Sequence, residues 1–327
     1  MHSTRISRFL RSSGLLALLM TCSLAGAQSW PDKPIRMVVP FPAGGATDVV
    51  ARLIAQEASS QLGQQIVVEN KSGAGGTIGA GEAARAAPDG YTILLTTSST
   101  HAISPHLFKS LPYDPASFTP IAHLADAASI LLVTPSLPAN SVQELIDLAR
   151  QKPDELNYAS SGNGTIPHLT CASFLARAGV SMTHVPYRGT GPGLNDLIAG
   201  NIQVLCDSLP TGLPHVRSGK ARALAVTGPE RSPLAPELPT VAESGLPGYS
   251  SVTWFGLYGP AGLPQDIAVK LNEVFTKSVH QPDVTKRLRD LGIEPAKAGS
   301  PRQFADMVSA DSERWGRIIT ESNITIQ

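Results

Sequence analysis

The chain has 327 residues, enough for two ordinary domains or one large α/β domain, and its 42% apolar, 16% charged composition excludes a disordered polypeptide. Its 26 Lys+Arg balance 26 Asp+Glu, and no basic run offers a footprint for nucleic acid.

The first element in chain order is a leader. "MHSTRISRFLR" is basic, "GLLALLM" is apolar and "AGA" at Ala25 to Ala27 is a small-residue site, the three parts of a secretory signal peptide cleaved after Ala27. As a membrane anchor the apolar run falls short of the ~20 residues that span a bilayer. A lipoprotein would use Cys22, but Thr21 stands where acylation sites carry Gly, Ala or Ser. Export leaves Cys171 and Cys206 as the thiols of the mature chain, in the apolar stretches "HLTCASFL" and "IQVLCDS". An oxidising compartment permits a bond between them, while their surroundings favour two separately buried small side chains.

Beyond the leader, the β-rich runs "IRMVVPF", "QIVVEN", "YTILLTT", "LNYASS", "MTHVPYR", "IQVLCDS" and "ARALAVTG" alternate with helical stretches. The helical stretches are "VVARLIAQEASSQL", "GAGEAARAA", "SVQELIDLARQ", "HLTCASFLARAG" and "GLNDLIAG". This is the pattern of an α/β protein with parallel strands and crossover helices. Two apolar, proline-punctuated segments, Thr119 to Pro138 and Tyr249 to Pro264, read as paired crossings of a chain that leaves a first lobe and later returns. Three helices are expected after Pro264, each opening with Pro, Asp or Ser in its first turn and packing back on the first lobe.

Four times a strand runs into a Gly/Ser/Thr-rich turn at a helix start: Phe41 to Asp48, Thr96 to Ser104, Ser160 to His168 and Tyr187 to Asp196. Such turns expose backbone amides at the positive end of a helix dipole, and together they form a site for one small anion. Any one of them taken alone reads as an ordinary βα connection, and it is the recurrence of four in one chain that points to a shared site. Thr47 is read as the N-cap of the helix after the first turn, with Asp48 complementing its dipole. His101 is either a donor to the anion or a structural hydrogen-bonder. Asp207 ends a strand where ligands of open sheets sit, and as a carboxylate it should take a ligand N–H or O–H or hold a loop.

Other chemistries fit poorly. "GAGGTIGAG" imitates a dinucleotide fingerprint, but its strand ends several residues too early, and "GLPHVRSGKAR" has the wrong glycine spacing for a phosphate loop and Ala221 after the Lys. The chain shows no G-x-S-x-G, S-x-x-K, H-E-x-x-H or C-x-x-C, so neither a catalytic set nor a metal or other cofactor is expected.

The leader together with "WPDKPIRMVVPFPAGGATDVVAR", "VVENKSGAGGTIGAGEAARAAPDGYTILL", "THAISPHLFKSLPYDPASFTPIAHLA", "SSGNGTIPHL", "VPYRGTGPGLNDLIAGNIQVLCDSLP" and "ELPTVAESGLPGY" resembles, in order, the Bug family of extracytoplasmic substrate-binding proteins of tripartite tricarboxylate transporters. The resemblance covers nearly all of the mature chain. It implies a two-lobe periplasmic binding protein fold, type II-like, with a ligand cleft between the lobes. Lobe 1 would be residues 28–127 and 253–327, and lobe 2 residues 128–252. It implies a periplasmic monomer that holds a small carboxylate and partners the large and small membrane subunits of a transporter.

Carried onto matching positions, the ligand-binding residues would be Phe41, Ala43, Gly44, Gly45, Thr47 and Asp48 in the first loop and Thr97, Ser98 and His101 in the second. Ser161, Gly162, Asn163, Gly164 and Thr165 would follow in the third, with Asp207 after the later strand. Cys171 and Cys206 depart from the family pattern and make a disulfide specific to this chain possible. Two other readings stand beside transport: the same fold serving a membrane signalling receptor, and an exported hydrolase using His101 or Asp207.

Overall fold

The computed structural model describes residues 30–321 and 323–326; the leader, its cleavage site and Cys22 lie outside them. The chain divides into two units. Met1–Asp32 is described only at Trp30–Asp32, which carry no helix or strand, and Lys33–Gln327 contains every element below.

The unit starts with β1 (Ile35–Val39), α1 (Ala46–Leu62), β2 (Ile66–Asn70), α2 (Thr77–Ala84) and β3 (Thr92–Thr97). A π turn (Ser99–Ile103) leads into α3 (Ser104–Leu107) and the long β4 (Phe118–Val133). Then come α4 (Val142–Gln151), β5 (Asn157–Ser160), α5 (Ile166–Ala178), β6 (Thr183–Pro186), α6 (Thr190–Ala199), β7 (Val204–Ser208), α7 (Leu209–Arg217) and β8 (Arg222–Val226). The chain ends with β9 (Val252–Pro260), α8 (Gln265–Val279), α9 (Pro282–Asp290), β10 (Ile293–Pro295) and α10 (Pro301–Glu321).

The ten strands form one sheet in the order β2-β1-β3-β9-β4-β7-β5-β6, with β8 and β10 also paired to β4. The pairs among β1, β2 and β3, and among β5, β6 and β7, are parallel, as the alternation of strands and helices predicts. The two proline-punctuated crossings are antiparallel: β9 pairs with β3 and β4, and β4 pairs with β7 and β8. A fully buried apolar run carries no period that would reveal its direction.

β4 changes partners along its length. Phe118 to Ala128 lie against β9, whereas Ser129 to Val133 lie against β7, with Ile130 to Val133 also facing β8 on the other side. Beyond Ala128, strand alternation sends Leu131 and Val133 into one core cluster with Val204 and Cys206, and Ile130 and Leu132 into another with Leu205. A third cluster joins Val38, Leu94, Trp254 and Tyr258 to Phe304 and Trp315 of α10. The three late helices pack back on the β1 side as expected. Asn272 of α8 donates to the Ile121 carbonyl of β4 at 2.7 Å, and Trp254 of β9 donates to Asp311 of α10 at 2.8 Å.

Cys171 of α5 and Cys206 of β7 form a disulfide, with Cα atoms 5.6 Å apart. This corrects the reading of two separate thiols: α5 lies over the face of β7 that carries Cys206, so both sulfurs enter the same cluster. The bond closes a separation of 35 residues, for which the chain-entropy model gives about 3–4 kcal/mol. Replacing both cysteines with alanine is therefore expected to lower the unfolding free energy by about that amount. Guanidinium melts of the double variant, and of the parent with and without reductant, measure it. Equal midpoints would show that the bond adds nothing.

Candidate functional site

β1, β3, β5 and β7 all deliver their C-terminal ends to one cavity of about 480 Å³, where the partner switch of β4 and the start of β9 supply Ser129, Thr253 and Phe255. Four helices begin on its wall. Ala46 and Thr47 open α1, Ile166 and Pro167 open α5, Thr190 and Gly191 open α6, and Pro210 and Thr211 open α7. The first amides of each helix lack an intrahelical acceptor, and four dipoles converge with their positive ends inward.

The first loop is shaped by an acid that does not itself reach the cavity. Asp48 is only 4% exposed and accepts from the Gly44 amide at 2.9 Å, from Asn70 at 3.0 Å and from Arg52 at 3.0 Å. Asn70 also donates to the Phe41 carbonyl at 3.0 Å, so the turn is clamped at both ends. Burial, the largest single influence, would raise the Asp48 pKa, but Arg52, the Gly44 amide and Asn70 together hold it below the ordinary range. The helix N-cap is Gly45, which corrects the assignment to Thr47, and Asp48 reaches back from the third helical position. Gly44 sits at φ 79°, a left-handed conformation that an L side chain rarely adopts, whereas Gly45 is extended at φ −75°. The turn thus presents Phe41, Ala43, Gly44, Gly45 and Thr47 to the cavity.

The second loop contributes two residues. Thr97 and Ser99 line the cavity; Ser98 and His101 turn into the core. The His101 ring stacks on Tyr258 at 4.0 Å, meets Phe118 edge-on at 4.8 Å, and shares a 2.8 Å hydrogen bond between Nδ1 and the Thr100 hydroxyl. Burial pushes its pKa down to about 3, which makes it a neutral core side chain.

In the third loop only Ser161 and Thr165 reach the wall, and Gly162, Asn163 and Gly164 build the turn behind them. The Thr165 hydroxyl donates to the Gly162 carbonyl at 2.7 Å, and the Gly164 amide donates to His168 Nδ1 at 3.2 Å. His168 stacks on His184 at 4.0 Å, and His184 Nε2 pairs with the Ser160 hydroxyl at 2.6 Å. Burial pushes His168 to about 3, helped by His184, and pushes His184 to about 4. The Ile166 amide is taken by the Ser99 hydroxyl at 3.1 Å and Pro167 has no amide, so α5 offers an anion fewer donors than α1.

The glycines that imitate a dinucleotide fingerprint have a packing role instead. A Cβ on Gly75 would lie 2.5 Å from the Asn163 carbonyl, so the residue allows the loop after β2 to touch the loop after β5.

Asp207 is on the wall, 1% exposed. Its Oδ1 accepts from the Ser208 amide at 2.8 Å, while its Oδ2 is buried with no hydrogen-bond partner. Burial raises its pKa to about 6; the Thr211 hydroxyl, the Ser208 amide and the Thr190 hydroxyl pull the other way, although neither hydroxyl closes a well-formed bond on Oδ2. Residues not assigned from the sequence include Ser99, Ser129, Arg188, Thr190, Ser208, Thr211 and His215. The fourth Gly-rich turn already marked Arg188 and Thr190, whereas α7 was hidden by Pro210 and Pro214.

A cleft walled by helix starts, on a sheet in which two antiparallel crossing strands separate two parallel sets, has the architecture of a solute-binding protein. Residues 50–324 match the family model described as tripartite tricarboxylate transporter family receptor, and the chain belongs to that family. It is 34% identical to "Protein BugT" of Bordetella pertussis over 98% of this chain and 97% of that one. It is also similar to the solved structure of R. palustris Rpa4515 with adipate, at TM-score 0.87 and 40% identity over 90% of this chain and 99% of that one. The structure of MatC (Rpa3494) from Rhodopseudomonas palustris with bound malate gives TM-score 0.84 and 37% identity over 89% and 100%. The fold is therefore the expected two-lobe binding-protein fold, and the family and these neighbours are solute-binding proteins, not enzymes. Among the described residues no helix is long and apolar enough to cross a membrane, and no cluster of His, Cys, Asp and Glu could hold a metal ion.

The buried titratable groups set opposite pH slopes. Asp207 titrates at 3.8 unfolded and about 6 folded, so its burial is free below pH 4 and costs progressively more up to pH 6. His101, His168 and His184 titrate at 6.5 unfolded and at about 3, 3 and 4 folded, so their burial is free above pH 6.5 and costs more as pH falls. Three groups outweigh one, and stability is expected to fall between pH 6.5 and 4. Asp207→Asn should stabilise the ligand-free protein by up to about 3 kcal/mol at pH 8 and not at pH 4. Urea melts across that range check both slopes.

Proposed function

We propose that this protein is an exported solute receptor that closes two lobes on a small carboxylate and delivers it to the large and small membrane subunits of a tripartite tricarboxylate-type transporter. The observation that carries this reading is the convergence of four helix N-termini on one cavity of about 480 Å³, a volume suited to a small metabolite. The adipate and malate complexes of the two relatives support a carboxylate. The secretory leader supports cleavage after Ala27 and action in the periplasm, and the reading takes the receptor as a monomer.

Residues 28–127 and 253–327 form lobe 1 in this reading, and residues 128–252 form lobe 2. The division falls where β4 exchanges β9 for β7 and β8. The ligand carboxylate is held by amides at the start of α1, helped by α6, while Thr97, Ser161, Thr165 and Asp207 line the remaining wall. Gly162, Asn163 and Gly164 support the third loop, Asp48 clamps the first, and Ser98 and His101 have core roles.

A thermal-shift screen of the mature chain against di- and tricarboxylates, aromatic acids and neutral amides tests the reading. A cognate acid at a hundred times its Kd should stabilise the protein by about 2.7 kcal/mol and raise the melting point by several degrees. Gly44→Val should remove that shift while Gly45→Ala retains most of it, because only Gly44 requires a positive φ. If a neutral amide shifts the melting point and no acid does, the carboxylate assignment fails.

A further inference from the structure

The cavity wall holds a buried acceptor on which no protein donor closes a hydrogen bond; the Thr211 hydroxyl, though near, donates to the Ser208 carbonyl at 3.0 Å instead. Asp207 Oδ2 has no partner, and the hydroxyl of the next residue, Ser208, is also buried without one. Both residues line the cavity. Their backbone is fixed, because Asp207 lies opposite Ile130, and Ser208 opposite Ser129, in the β4–β7 register. Nearby, the Cys171–Cys206 disulfide ties the residue before Asp207 to α5. The backbone that carries the carboxylate is therefore held at the cavity wall. Arg188 and His215 are the other titratable side chains on the wall, and neither is paired with Asp207. Buried polar atoms in native proteins are normally satisfied, and a site built around an unsatisfied one discriminates strongly in favour of ligands that complete it.

We propose that Asp207 recognises a hydrogen-bond donor on the bound solute, so that the ligand is a small carboxylate that also carries an O–H or N–H group directed at Asp207 Oδ2. The inference rests on the carboxylate-receptor reading above and assigns the second half of its ligand. The helix starts hold the carboxylate, and Asp207 holds the donor. The Ser208 hydroxyl can donate to an acceptor beside that group, which suits a hydroxy acid or a monoamide better than a second ionised carboxylate. A second carboxylate placed there would face Asp207 as a like charge, with Oδ2 still unsatisfied.

The test is calorimetric titration of the intact mature protein at pH 7.5 with acid pairs of equal chain length that differ by one donor. Succinate is compared with malate, and adipate with its monoamide. The donor-bearing member of at least one pair is expected to bind at least tenfold more tightly. Asp207→Ala should erase the difference, and the near-isosteric Asp207→Asn should shift preference towards the diacid, because its amide can donate to a carboxylate. Thermal melts establish that both variants are folded. Binding of both members of every pair with equal affinity in the parent overturns this inference and leaves the carboxylate receptor standing. Diacid binding that takes up one proton and strengthens as pH falls from 8 to 5 also overturns it, because Asp207 would then act as a protonated donor. Failure of every acid to bind removes both readings.

Discussion

The molecule depends on where one long strand changes partners. β4 leaves β9 after Ala128 and joins β7 at Ser129, and the return strand β9 begins beside it at Val252. Thr227 fastens the two crossings together. Its hydroxyl accepts from the Ser129 amide at 2.9 Å and lies 2.7 Å from the Ser251 carbonyl, and its amide donates to the Ser129 carbonyl at 2.8 Å. A second link joins the hydroxyls of Ser251 and Thr170 at 2.7 Å. The partner switch places Ser129, Thr253 and Phe255 between the strand ends of both halves of the sheet, so the cavity is a consequence of the crossing. Other contacts also join the halves: the Ser99 hydroxyl takes the Ile166 amide, Gly75 meets the Asn163 carbonyl, and Ile166 and Leu169 of α5 enter the core cluster that holds Ile103 and Trp254.

Much of this was legible in the sequence because strands and amphipathic helices announce themselves by period. "QDIAVKLNEVFTKSV" is α8 from end to end, and "SVQELIDLARQ" is α4 with its Ser141 cap donating shape to the turn through a 3.1 Å bond from the Glu144 amide. The direction of β4 and β9 was not legible, because direction is decided by distant partners and leaves no mark on the period of either run. α7 was not legible because Pro210 and Pro214 suppress the helical signal, although Pro210 occupies the first turn, where its missing amide costs nothing. The disulfide was not legible because the approach of α5 to β7 is a tertiary fact.

Site residues divided along a similar line. The loops were readable as loops, since glycine and hydroxyl residues between a strand and a helix have few other uses. Which side chain faces the cavity was not, because it depends on a rotation of one residue: Thr97 and Ser99 point in, while Ser98 and His101 point into the core. The π turn from Ser99 to Ile103 sets that rotation, and no composition rule distinguishes one Ser from its neighbour.

The two acids near the cavity show how burial separates structure from recognition. Asp48 and Asp207 are 4% and 1% exposed, and burial alone would raise the pKa of each. Asp48 receives an arginine, an asparagine and a backbone amide, which fill both its oxygens, and it shapes the loop without touching the cavity. Asp207 receives one backbone amide, and its other oxygen is left on the wall. An unfilled carboxylate oxygen inside a ring of helix N-termini is tolerable, because the surrounding dipoles favour negative charge. The same dipoles attract an anionic solute, so the cavity combines a field that draws carboxylates with one fixed acceptor that repels a second negative charge. These opposed demands underlie the proposed solute, in which one end is an anion and the other brings a proton.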